Sequence, residues 1–302
     1  MKDKTIVYYC IGGLYIKVIF DKNEFNLDSF SGSYYFICDS FGEKEPDFTV
    51  EYIYGKSLTY PLGSLVFEGS SDDEIVIPYE LNVFECQGYV SLFFKIRKNN
   101  SFYLAKADIF SSEKKAIVHL DLKDKINRGG FDPFAYPLGT ILLNYIFYEK
   151  NSIVIHASGV KDGQRDGYVF TAVSGTGKST MAALWEKQGA KIINDDRLIL
   201  RPNKEGVIMT NAPMPYYQDI NKESLVTAIF LIKQSPHNYI KPVSKVAAIT
   251  GIMSNCIQFH YDAKMVKQQL QTLMTIENKC KVYELGFKPD VEIVELIKYE
   301  LG

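Results

Sequence analysis

Nine consecutive residues, Ala172-Val173-Ser174-Gly175-Thr176-Gly177-Lys178-Ser179-Thr180, combine small side chains, two glycines, one lysine and several hydroxyls. They fit the phosphate-loop pattern G-x-x-x-x-G-K-[ST], with Ala172 in the first glycine position. Gly175 and Gly177 can let the backbone turn so that the N–H groups of Ser174, Gly175, Thr176 and Gly177 point inward as an anion-binding nest. A helix starting at the lysine adds the positive end of its dipole beneath a phosphate. Lys178 can then reach the β and γ phosphates of ATP, and the hydroxyl of Ser179 or Thr180 can ligate Mg²⁺. Alanine at position 172 requires that this position use ordinary negative φ.

Two further features belong with the loop. Asp195-Asp196 follows Lys178 by 17 residues, room for a helix, a turn and a strand. If that strand is parallel to the one before the loop, its carboxyl end brings the pair beside the phosphates. Two adjacent carboxylates can divide the work, one holding Mg²⁺ and the other accepting a proton from an attacking hydroxyl. His156, in Val154-Ile155-His156-Ala157-Ser158, reads as the end of the preceding strand. If the two strands are neighbours it faces the transferred phosphate as a donor or proton relay. The other reading of each feature is structural: a tight strand–helix turn, a solvated Asp-Asp turn, and a histidine that ends a strand.

The elements that must carry these residues follow from pattern. Residues 5–11 and 14–20 alternate around Gly12-Gly13, a hairpin signal. Strand-like runs follow at 48–54, 64–68, 74–78, 89–96, 102–110 and 116–122, separated by turn chemistry, so residues 1–125 read as an antiparallel β-rich domain. Asn127-Arg128-Gly129-Gly130 reads as a linker, and 137–150 carries apolar residues on one helical face, making 126–150 a connecting segment with a helix. Beyond it, strands at 152–156, 168–173, 190–193, 197–201, 207–210, 228–233 and 281–287 mix with helices at 178–188, 244–253, 262–277 and 290–300. Residues 151–302 therefore read as an α/β nucleotide-binding domain.

Bulk properties bound the rest. Hydrophobic residues make up 46% and charged residues 23% of 302, enough for a sizeable core. Formal net charge is −2 with no basic run, which argues against nucleic acid as the main partner. The longest apolar stretches, 228–232 and 141–147, are far short of the ~20 residues a bilayer requires, and no signal core opens the chain, so the expected setting is the cytoplasm. Five scattered cysteines have no zinc or redox spacing and read as reduced thiols. The 21 Tyr and 19 Phe read first as sheet packing and second as a peptide-binding surface.

The ordered series formed by the His156-Ala157-Ser158 stretch, the loop, and Gly189-Ala190-Lys191-Ile192-Ile193-Asn194-Asp195-Asp196-Arg197 resembles the HPr kinase/phosphorylase superfamily, whose kinase domain is similar to that of phosphoenolpyruvate carboxykinase. The resemblance covers roughly residues 150–235. It looks most like the HPr-kinase-like proteins found with ribosomally made peptides, including kinases of lasso precursor peptides; Ala172 and the run Ala228-Ile229-Phe230-Leu231-Ile232 suit that branch. It implies ATP and Mg²⁺ as cofactors, His156 near the phosphates, and an Asp pair that joins metal binding to acid–base work on a serine hydroxyl. It also implies a peptide or small-protein acceptor and assembly of copies. The glycine-rich signature of classical HPr kinases has no counterpart; its place is taken by Thr210-Asn211-Ala212-Pro213-Met214-Pro215-Tyr216-Tyr217. A small-molecule hydroxyl acceptor, or a non-catalytic nucleotide-gated binding module, stays open on the residues alone.

Overall fold

The computed structural model describes residues 3–55, 58–71, 77–98, 101–121, 130–163, 166–214, 220, 222–257 and 259–301. The expected strand at 74–78 and linker at 127–130 lie largely outside them. The chain divides into two compact units, one of Met1–Ile146, Pro213–Ile220 and Phe259–Ala263, the other of Phe147–Ala212, Asn221–Gln258 and Lys264–Gly302.

The first unit is built on a nine-stranded sheet: β1 Lys4–Ile11, β2 Leu14–Asp21, β3 Ile37–Cys38, β4 Phe48–Tyr54, β5 Ser64–Ser71, β6 Tyr79–Cys86, β7 Tyr89–Lys98, β8 Ser101–Phe110 and β9 Lys115–Asp121. Their spatial order is β3-β1-β2-β4-β9-β8-β7-β6-β5. The sheet is not wholly antiparallel, as the sequence suggests. β4 pairs in parallel with both β2 and β9, because the chain returns to β4 through a long connection and to β9 only after the β5–β8 meander. β6 is a strand beyond those expected, and its Leu81 and Val83 alternate into the core. Phe25, Tyr52 and Phe131 meet on the apolar face with Tyr52 and Phe131 ring centroids 4.8 Å apart, so these aromatics serve packing. The other face carries ion pairs, among them Lys4 and Lys115 on Glu51 and Lys106 on Asp108.

A helix, α1 (Leu138–Glu149), leads into the second unit. There follow β10 Ile153–Asp162, β11 Asp166–Thr171, α2 Lys178–Lys187, β12 Lys191–Asn194, β13 Arg197–Pro202, β14 Val207–Asn211, β15 Glu223–Gln234, β16 Tyr239–Pro242, α3 Lys245–Met253, α4 Ala263–Lys279, β17 Lys281–Phe287 and α5 Glu292–Leu301. Only β11, β15 and β17 run parallel; β10, β12, β13, β14 and β16 pair antiparallel. β10 and β15 each take part in two sheets: their first halves flank the β13–β14 hairpin, and their second halves flank β11.

Both faces of the central strands are buried. On one, Tyr168, Phe170, Ala228 and Phe230 pack with Trp185 of α2 and Ile293 and Ile297 of α5. On the other, Ala157, Val169 and Ile229 pack with Leu198 and Met209 of the hairpin and with Ile252, Leu273 and Ile276 of α3 and α4. Strands apolar on both faces therefore read as continuous apolar runs such as Ala228-Ile229-Phe230-Leu231-Ile232. Among the described residues no helix is long and apolar enough to cross a membrane.

Trp185 is fully buried and lies 4.8 Å from the Tyr168 ring centroid, fastening α2 to β11. Trp185→Ala is expected to cost about 3–5 kcal/mol, read as a lowered urea midpoint with an unchanged slope.

Candidate functional site

β11 ends at Thr171 and the chain enters the glycine loop. Gly175 has φ +79° and Gly177 φ +112°, values that the missing Cβ permits. Ala172 is not among the positive-φ residues, so the first position of the pattern uses ordinary backbone here and tolerates alanine. The loop closes on Val173, whose carbonyl accepts from Thr176 Oγ1 at 2.9 Å. Gly177 is the N-cap of α2 and supplies no side-chain oxygen to the first turn. The amides there are thus open to an anion, where the helix dipole favours negative charge. A Cβ on Gly177 would fall 2.6 Å from the Phe287 ring, so this glycine is required by φ and by space together.

Lys178 is buried, and its ammonium donates to the carbonyls of Ala172 at 2.9 Å and Val173 at 3.1 Å. Burial lowers its pKa below the usual lysine value, opposed by the charge of Asp196. Ser174, Gly175, Ser179 and Thr180 are exposed around it.

β10 brings the other groups in. It runs antiparallel to β11 on one side and to β12 on the other, so β11 and β12 point the same way and release the chain beside the same stretch of β10. The juxtaposition expected of parallel neighbours is produced instead by an intervening antiparallel strand. His156 lies inside β10 rather than at its end, because Ala157-Ser158-Gly159 continues the strand against β11. Its backbone is held on three sides: N–H to Asn255 O at 2.8 Å, C=O accepting from Thr171 Oγ1 at 2.9 Å, and cross-strand pairing with Arg197.

Asp195-Asp196 is a bend within one line of pairing against β10, since Gly159↔Asn194 and His156↔Arg197 keep the same register. Asn194 makes the bend: its side-chain oxygen accepts from the N–H groups of Asp196 and Arg197, both at 2.9 Å. The Asp196 carboxylate lies 3.4 Å from His156 Nε2 and 3.6 Å from Arg197 Nε. Asp195 is half-buried beside it. Burial, then Lys178 and Arg197, push the His156 pKa down against the pull of Asp196, so the imidazole is neutral at neutral pH.

Lys178, His156 and Asp196 are thereby gathered on one side of the loop. Asn194 and Arg197 complete the group and were not singled out for roles from the sequence; an Asn just before the carboxylates was the available signal for the first. Among the described residues no cluster of three or more His, Cys, Asp or Glu is placed to hold a metal by itself. Asp195, Asp196 and a loop hydroxyl are the residues that could hold Mg²⁺, and only together with phosphate oxygens and water. No protein-family model matches the chain, and a search of curated proteins gives no match.

Gly177→Ala is expected to cost at least about 1–2 kcal/mol from the left-handed backbone alone, seen as a lower urea midpoint. Acidification provides a second check. The unfolded chain binds a proton at His156 more readily than the folded one, so this contribution to stability is lost as pH falls below the ordinary histidine range. His119 and His260 are also depressed by burial. Wild type and His156→Gln should therefore both weaken between pH 7.5 and 5.5, the variant by less; equal losses would contradict the reading of His156.

Proposed function

We propose that the chain is an ATP·Mg²⁺-dependent kinase of the HPr-kinase-like kind, transferring the γ-phosphate to a serine-type hydroxyl of a peptide or small protein in the cytoplasm. The observation that carries the reading is the convergence of Lys178, His156 and Asp196 at a glycine loop whose following helix presents uncapped amides.

The loop amides and Lys178 bind the β and γ phosphates and offset charge as it moves toward the bridging oxygen. Ser179 and Asp195 would hold Mg²⁺, which when bound screens the phosphate oxygens. Asp196 takes the proton of the acceptor hydroxyl while that oxygen attacks the γ-phosphorus and the bond to the β–γ bridging oxygen breaks, releasing ADP. His156 and Arg197 flank the two oxygens of that carboxylate, at 3.4 and 3.6 Å, and bias its position and charge. Catalysis on this scheme is largely positioning and charge stabilisation.

The test is incubation with γ-labelled ATP, Mg²⁺ and short peptides encoded beside the gene, followed by mass analysis for one added phosphate. Asp196→Asn should reduce transfer by about 10²–10⁴-fold while ATP still binds. Asp195→Asn should reduce transfer and raise the Mg²⁺ requirement, and Lys178→Ala should weaken ATP binding itself. Full transfer by both aspartate variants would sink the assignment. Phosphate on free serine or a sugar, with none on peptides, would move the acceptor to a small molecule.

A further inference from the structure

A pocket of about 480 Å³ opens beside the glycine loop. It is lined by Gly177 and Thr180, by Gln234 and Pro236 at the end of β15, and by Phe287 and Pro289 at the end of β17. β11, β15 and β17 are parallel, so their carboxyl ends share this edge of the sheet, where open α/β sheets take their ligands. β10 and β12, which carry or lead to His156 and Asp196, lie on the other side of β11. A triphosphate whose terminal phosphate meets Asp196 therefore directs its opposite end across Gly177 and Thr180 toward the pocket.

The lining suits a nucleoside rather than another phosphate. No charged side chain is among the described residues that line it. Two prolines and the Phe287 ring offer apolar surface for a flat heterocycle, and the Gln234 amide offers both donors and an acceptor for its polar edge. The volume lies within the range of about 300–1,000 Å³ usual for small-molecule sites. The walls are tied to each other. Asn238 accepts from Lys288 N at 2.8 Å and donates to Asp290 at 3.1 Å, and Ser235 N donates to Phe287 O at 3.0 Å. The two loops are therefore joined across the strand ends, which favours a preformed site over one assembled by the ligand.

We infer that the base and ribose of the bound triphosphate occupy this pocket, which makes the Gln234–Pro236 turn the determinant of which nucleotide is used. The inference rests on the nucleotide reading of the glycine loop, and the experiment separates the two. Calorimetric titration of wild type, Ser235→Trp and Lys178→Ala with ATP and with inorganic tripolyphosphate reads the nucleoside and phosphate contributions apart. Wild type should bind ATP at least about ten-fold tighter than tripolyphosphate. Ser235→Trp should bring ATP down to the tripolyphosphate level and leave tripolyphosphate unchanged, whereas Lys178→Ala should weaken both. Wild-type ATP affinity in Ser235→Trp would overturn the pocket assignment and leave the loop reading standing. Failure of wild type to bind either ligand would overturn both. Should Ser235→Trp lose both ligands through misfolding, Gln234→Ala decides, since its side chain is exposed. Several-fold weaker ATP with unaltered tripolyphosphate supports the assignment, and unaltered binding of both rejects it.

Discussion

A ten-residue strand with every edge occupied sets the geometry of the second unit. β10 pairs through its first half with β13 and with the chain around Cys256, and through its second half with β11 and β12. Buried backbone groups must find partners, so a strand with neighbours on both edges along its length has no freedom to slide. A one-residue slip would turn His156 to the opposite face and move the bend at Asp196 away from it. The spacing between the histidine, the carboxylate and the glycine loop is thus a property of strand register rather than of loop conformation.

The same strand shows why small residues are needed inside a core. Gly159 faces the side chains of Leu198 and Met209, and a Cβ there would come within 2.8 and 2.9 Å of them. Gly167, opposite Lys161, meets the Leu225 carbonyl in the same way, at 2.2 Å. The β13–β14 hairpin closes down on β10 and β11 only because these positions lack side chains. On the other face Trp185 and Phe170 fill the layer beneath α2. Loop precision therefore rests on large residues on one side of the sheet and on absent ones on the other.

What could be read in advance follows this division between local and distant causes. The glycine loop, the helix after it and the Asp pair are visible because their chemistry is written in adjacent residues. The continuation of β10 past His156 was hidden because Ala-Ser-Gly has the composition of a turn; its strand character comes from partners in β11 and β12. The parallel pairings of β4 were equally hidden, since strand order depends on connections that no local pattern records. Arg197 reads as the first residue of an ordinary strand, and only the register of β13 against β10 sets it opposite His156. The aromatic richness of the first unit resolves into ring contacts such as Phe25 with Phe131, an effect of packing that composition alone leaves undirected.

Lys178 carries a consequence for the thermodynamics of binding. A free lysine side chain gives up about 1.5–2 kcal/mol of rotamer entropy when it is fixed. Here the ammonium is already anchored on the carbonyls of Ala172 and Val173, so that loss is incurred on folding and not when an anion arrives. An incoming phosphate meets a charge that is already immobilised and must compete only with two carbonyl dipoles. The loop accordingly trades some stability of the free protein for a smaller entropic penalty at the moment of capture.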